Sequence, residues 1–151
     1  FNYKKLDVMG KNIVHAGGIG NGQAAKICNN MILGISMIAV SESFAMAEKL
    51  GLSAQNLFDI TSSSSSQCWA MTSYLPVPGP VPASPANNDY KPGFTGAMMA
   101  KDMKLARDAA ISSGQNTELA DSALQMYERF LAEGGSSKDF SAIYKMINNS
   151  S

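Results

Sequence analysis

Asn21-Gly22-Gln23-Ala24-Ala25-Lys26-Ile27-Cys28-Asn29-Asn30-Met31-Ile32-Leu33-Gly34-Ile35-Ser36-Met37-Ile38-Ala39-Val40 opens a stretch to Leu50 that contains no proline and, past Gly22, only one glycine. Leu33, Met37, Val40, Phe44 and Ala47 recur at steps of three and four, the period of an α-helix. Ile32, Ile35, Met46 and Leu50 fill the other side. The pattern predicts one helix, apolar nearly all round, of roughly 40 Å at 1.5 Å per residue. A helix of that kind is expected to be the buried central column of its domain. Gly51 is placed to end it in the left-handed conformation that helix ends favour.

C-terminal to this column the chain reads as further helices. Ser53 is an N-cap residue for a helix to about Thr61, and the serines from Ser62 to Ser66 form a loop. A short helix is predicted from Cys68 to Tyr74. Pro76, Pro78, Pro80, Pro82 and Pro85 then exclude helix and central strand, leaving a long loop to about Gly93. Helical spacing returns from Thr95 to Ser112 and stops at Gly114. Thr117 is expected to cap a helix that ends at Gly134-Gly135. Ser136-Ser137-Lys138-Asp139 has capping-box spacing for a last helix carrying Phe140, Ile143, Tyr144 and Ile147.

N-terminal to the column, Asn12-Ile13-Val14-His15 reads as a short strand. A strand of that length needs a sheet that the rest of the sequence does not supply. The expectation is an all-α body behind a strand stub, with residues 1–16 the tail of an upstream α/β domain and residues 17–151 a helical domain.

Composition narrows the chemistry. The 151 residues carry 12 basic and 12 acidic side chains, so there is no basic excess to meet a nucleic acid or an anionic membrane. One histidine and two cysteines leave no structural zinc set of four N/S ligands, and no metal is expected. The strongest apolar run, Met31 to Val40, is shorter than the about 20 residues of a bilayer span, so no transmembrane helix is expected. Cys28 and Cys68 read as packed thiols. His15 reads as structural, and Trp69 as core packing ahead of a cleft wall.

Two constellations remain. Gly18, Gly20 and Gly22 precede the long helix but do not make the G-x-G-x-x-G of a dinucleotide loop. Lys26 lies one turn inside that helix, where a cation is unfavourable, and Asn30 is four residues on, on the same face. A lysine placed so can exchange a proton with a substrate hydroxyl while the asparagine holds a substrate oxygen. Equally, the lysine can snorkel to solvent and the asparagine bond to backbone. Further on, Phe94 and Lys101-Asp102 stand at two-turn spacing, sharing a face if the helix starts early enough. Lys104, Arg107 and Asp108 make an ordinary solvated face with local ion pairs.

Gly20-x-Gly22-x-x-x-Lys26-x-x-x-Asn30 resembles the catalytic motif of the β-hydroxyacid dehydrogenase family. Its members join an N-terminal Rossmann domain, which binds the dinucleotide, to an all-helical C-terminal domain of the 6-phosphogluconate dehydrogenase type. By this resemblance Lys26 is the general acid/base and Asn30 contacts substrate. Phe94 followed by Lys101-Asp102 is similar to the family's second signature, which implies that Lys101 and Phe94 border the NAD cofactor. Cys68-Trp69, Pro76-Val77-Pro78-Gly79, Ala86-Asn87-Asn88 and Lys138-Asp139-Phe140-Ser141 resemble the 3-hydroxyisobutyrate dehydrogenases in particular. The resemblance implies the C-terminal catalytic and dimerisation part of an NAD-dependent enzyme that oxidises 3-hydroxyisobutyrate in valine catabolism. It further implies a homo-oligomer that works with its own Rossmann domain, in the mitochondrial matrix of a eukaryote or the cytoplasm of a bacterium. Tartronate semialdehyde reductase and a non-catalytic helical assembly module are the alternatives.

Overall fold

The long helix is the axis on which the rest is assembled. In a computed structural model, which describes residues 14–149, α1 spans Asn21–Lys49. It is followed by α2 (Ala54–Thr61), α3 (Trp69–Thr72), α4 (Gly96–Ser113), α5 (Glu118–Phe130) and α6 (Ile143–Asn149). All five later helices pack on α1. No strand occurs among the described residues, where one isolated bridge pairs Thr95 with Asp139. The all-α body is therefore as the sequence predicts. Val14 and His15 are irregular and exposed rather than strand, while Asn12 and Ile13 lie outside the described residues.

The expectation of a wholly buried α1 needs correction. Its buried residues begin at Gly34 and include Met37, Val40, Phe44 and Ala47. The N-terminal turns, Asn21 through Lys26, are exposed, and so are Ile32, Met46 and Leu50. Periodicity reveals an apolar face but not how far neighbouring helices extend along it. By length and composition α1 is also capable of crossing a membrane, with a window of mean hydropathy 1.4, which amends the reading from its shorter apolar run. Its neighbours here are the other helices of the chain.

Where α1 crosses α4, Gly34 faces two methionines. A Cβ at Gly34 would stand 2.6 Å from Met103 Sδ and 3.1 Å from Met99 Sδ. Met37, Met99, Met103, Tyr127, Phe140 and Ile143 fill the centre.

The turns follow local chemistry, with two exceptions. Gly51 takes the predicted left-handed φ, at 80°, and Gly114 ends its helix as expected, with φ 72°. Ser53 and Thr95 side chains cap α2 and α4. Thr117, by contrast, makes no side-chain cap, and its φ/ψ of −135°/64° leave only its carbonyl to receive the first turn of α5. The capping box at Ser136 also does not form. Ser136 and Lys138 turn their carbonyls to the N–H groups of Ala97 and Gly96, at 3.2 and 2.9 Å, and so complete the start of α4. Asp139 is the cap instead, starting a 3-10 turn, Phe140–Ala142, that leads into α6.

The proline-rich segment is ordered and packed. Leu75, Val77, Val81 and Tyr90 are buried. Tyr90 donates its hydroxyl to the Pro76 carbonyl at 2.6 Å, and Asn87 bridges Gly79 and Val81 at 2.8 Å each. A 3-10 turn, Pro85–Asn88, closes the loop and leads into two left-handed residues, Asp89 and Tyr90.

Candidate active site

Lys26 and Asn30 share one face of α1, and across from them α4 presents Asp102. The Asn30 amide donates from Nδ2 to Asp102 Oδ2 at 2.7 Å. A carboxylate only accepts, so this bond fixes which end of the amide faces it. Asn30 Oδ1 in turn accepts from Asn29 Nδ2 at 3.2 Å. Gln23, Lys26, Ile27 and Leu105 complete a narrow cleft around the pair. Asn30 is half-buried, Asp102 is buried, and Lys26 is exposed. Ile27 and Leu105 are the apolar neighbours of Lys26 in this cleft, and the lysine itself stands in solvent.

Lys101 is exposed on α4, and as the helical neighbour of buried Asp102 it points about 100° away from it, outside the lining of that cleft. Phe94 is placed differently from the two-turn expectation. It precedes the cap residue Thr95 and lies outside the helix, so helical register does not bring it to Lys101. Its half-buried ring meets Phe140 edge-on, with centroids 5.6 Å apart. The Arg107–Asp108 contact at 3.8 Å agrees with a solvated face for that pair.

A second, more apolar cavity lies on the neighbouring side of α1. Asn29, Ile32, Leu33 and Ser36 face Cys68 and Trp69 across it. Trp69 is half exposed and stacks on Tyr74 at 4.8 Å, so it is a cavity wall rather than core. Cys28 is exposed, not packed, since it lies on the uncovered turns of α1. Among the described residues no three His, Cys, Asp or Glu side chains cluster to hold a metal ion.

Two residues matter more than the sequence reading gave them. Asp102 stands on the same stripe as Met99, Met103 and Ala106, the buried face of α4. A carboxylate in an apolar stripe signals a buried partner, and that signal was present in the sequence. Asp139 is fully buried and had no such signal.

The Lys26 amine and the Gln23 and Asn30 amides around this narrow cleft suit anionic and hydroxylic oxygen. Against that geometry stand the relatives. A family profile described as the NAD-binding of NADP-dependent 3-hydroxyisobutyrate dehydrogenase matches residues 20–147. This chain belongs to the 3-hydroxyisobutyrate dehydrogenase family. It is 51% identical over 138 residues to a probable 3-hydroxyisobutyrate dehydrogenase of Mycobacterium bovis, covering 91% of this chain and 47% of the relative. It is 47% identical over 150 residues to a probable mitochondrial 3-hydroxyisobutyrate dehydrogenase of Dictyostelium discoideum, covering 98% and 47%. A solved 3-hydroxyisobutyrate dehydrogenase of Mycobacterium tuberculosis with L-serine superposes with a TM-score of 0.90 at 49% identity, over 94% of this chain and 48% of that one. The chain thus spans about half the length of the 3-hydroxyisobutyrate dehydrogenases it matches.

Proposed function

We propose that this chain is the helical catalytic part of an enzyme that oxidises 3-hydroxyisobutyrate to methylmalonate semialdehyde with NAD, a step of valine breakdown. The observation that carries the reading is the Asn30–Asp102 bond beside Lys26, an oriented amide next to a free-standing amine. Lys26 Nζ exchanges the proton of the substrate hydroxyl. Asn30, clamped to Asp102, uses its remaining amide hydrogen and carbonyl lone pair to hold the substrate in line with Lys26. NAD, when bound, supplies the acceptor for the hydride of the alcohol carbon. In this reading Lys101 offers an amine to the cofactor's ribose or phosphate, and Phe94, held against Phe140, contributes an apolar contact. The Lys101 amine fits an anionic dinucleotide.

The exposure of Lys26 supports a two-part site, since water is excluded from it only when another body covers α1. In this reading that body is an N-terminal Rossmann domain, with the boundary near residues 16 and 17, and the enzyme is a homo-oligomer. L-serine, the molecule named with the Mycobacterium tuberculosis relative, carries the same primary alcohol and carboxylate as 3-hydroxyisobutyrate, with an amine for the methyl. That likeness favours a β-hydroxy acid substrate. Eukaryotic relatives named as mitochondrial support a mitochondrial compartment in a eukaryote, for which this reading takes the matrix, with the cytoplasm as its counterpart in a bacterium.

The test is Lys26→Ala in the full-length protein. Turnover of 3-hydroxyisobutyrate with NAD falls by at least about 10²-fold, with the helical circular-dichroism spectrum retained. Normal turnover in that variant overturns the role of Lys26. A panel of β-hydroxy acids on the unaltered enzyme separates 3-hydroxyisobutyrate from tartronate-type substrates.

A further inference from the structure

Asp139 is 0% exposed and receives five hydrogen bonds. Oδ1 accepts from the Ser141 N–H at 3.0 Å and the Ser141 hydroxyl at 2.6 Å, which is all that capping its own turn requires. Oδ2 does something else. It accepts from the Tyr74 hydroxyl at 2.9 Å and from the N–H groups of Gly93 and Phe94 at 3.0 and 3.3 Å. Those three donors flank the proline-rich segment at both ends, so one oxygen ties its entry to its exit.

Each donor leads to an aromatic wall. The Tyr74 ring stacks on Trp69, which lines the apolar cavity beside α1. The Tyr74 ring also stacks on Phe140 at 5.5 Å, and Phe140 meets Phe94 edge-on. Trp69 is half exposed and has its described ring contact only with Tyr74. Its orientation therefore depends on where Tyr74 is held. Gly93 has no room to shift inward, since a Cβ there would lie 2.9 Å from the Tyr74 hydroxyl.

The geometry points to Asp139 as a positioning residue of the active site, setting the Trp69 wall through Tyr74 and the Phe94 wall through the Gly93 and Phe94 amides. It touches neither substrate nor cofactor. This inference rests on the proposed dehydrogenase reading for what the two walls face, and on the hydrogen bonds alone for the coupling between them.

Three variants of the full-length protein separate the two oxygens. Tyr74→Phe removes one donor to Oδ2 and keeps the stacked ring. It is expected to raise KM for 3-hydroxyisobutyrate about tenfold, the loss of one hydrogen bond to a charged group, with kcat within about twofold and KM for NAD unchanged. Asp139→Asn raises both KM values. Ser141→Ala removes only a donor to Oδ1, so it lowers the melting temperature and leaves both KM values alone. Trp69 fluorescence, taken as the difference from Trp69→Phe, provides a reading independent of turnover. Acrylamide quenching of Trp69 rises in Tyr74→Phe and Asp139→Asn and not in Ser141→Ala. Unchanged KM and unchanged quenching in a folded Tyr74→Phe overturn the inference, as does an equal rise of KM in Ser141→Ala. If Asp139→Asn does not fold, Tyr74→Phe decides. If the unaltered enzyme does not oxidise 3-hydroxyisobutyrate, the function is wrong, and the quenching still judges Asp139.

Discussion

At Asn30 a single hydrogen bond decides what the side chain is able to do. An asparagine on a helix face samples several rotamers in solvent, and the 2.7 Å bond to Asp102 selects one. Lys26 and Asn30 were legible in the sequence because both lie on one helix, where spacing predicts a shared face. The clamp on Asn30 lies 72 positions away, and no local rule spans that distance. Tyr127 illustrates the opposite case, a polar group without a clamp. Its hydroxyl is fully buried and has no hydrogen-bond partner among the described residues. Burial first, and then the neighbouring Asp139 carboxylate, push its ionisation well above the ordinary tyrosine range. Tyr127→Phe removes a desolvated hydroxyl and keeps the ring. The expected result is a stability gain of about 1 kcal/mol in denaturant unfolding, and a loss of that size shows that the hydroxyl is bonded.

Between elements, α1 and α4 cross closely. Gly34 lets the two backbones approach until Met99 and Met103 lie over it. Both neighbours are the far parts of flexible side chains, so a methyl group is tolerated and the gain in helix propensity offsets the crowding. Gly34→Ala is expected to be nearly neutral. Gly34→Leu has no such escape, and overpacking lowers stability by about 1–3 kcal/mol. Urea unfolding of the two variants checks this, and equal midpoints for Leu and Ala refute the close crossing. The helices themselves were legible from period and from the glycines after them, Gly51 and Gly114, whose positive φ is needed where each chain turns. Caps were less so. Thr117 and Ser136 have the right chemistry, but the backbone angles at Thr117 and the docking of Ser136 and Lys138 onto α4 take precedence.

Across the whole molecule, the tyrosines report how much polar surface has been withdrawn from water. Tyr74, Tyr90, Tyr127 and Tyr144 all have their ionisation pushed up from the ordinary 10.0, in each case by burial first. Tyr144, which also donates to Glu48 at 3.2 Å, is raised to about 12. A raised value means that the folded chain keeps phenolic protons which the unfolded chain releases. The associated stability is complete below pH 10 and is lost as pH rises toward 12. The melting temperature is expected to fall through that window, and Tyr144→Phe to flatten the fall. A melting temperature with no dependence on pH there contradicts the burial of these rings.

By itself the sequence determined the all-α body, most helix ends and the Lys26–Asn30 pair. Each of these is set by interactions among residues within a few turns of one another, which spacing records directly. The tertiary structure alone decided that the first turns of α1 stand uncovered, that Asp102 clamps Asn30, and that Asp139 joins the two ends of the proline-rich segment. Those outcomes depend on which elements meet in space, and a buried carboxylate is stable only where distant donors converge on it.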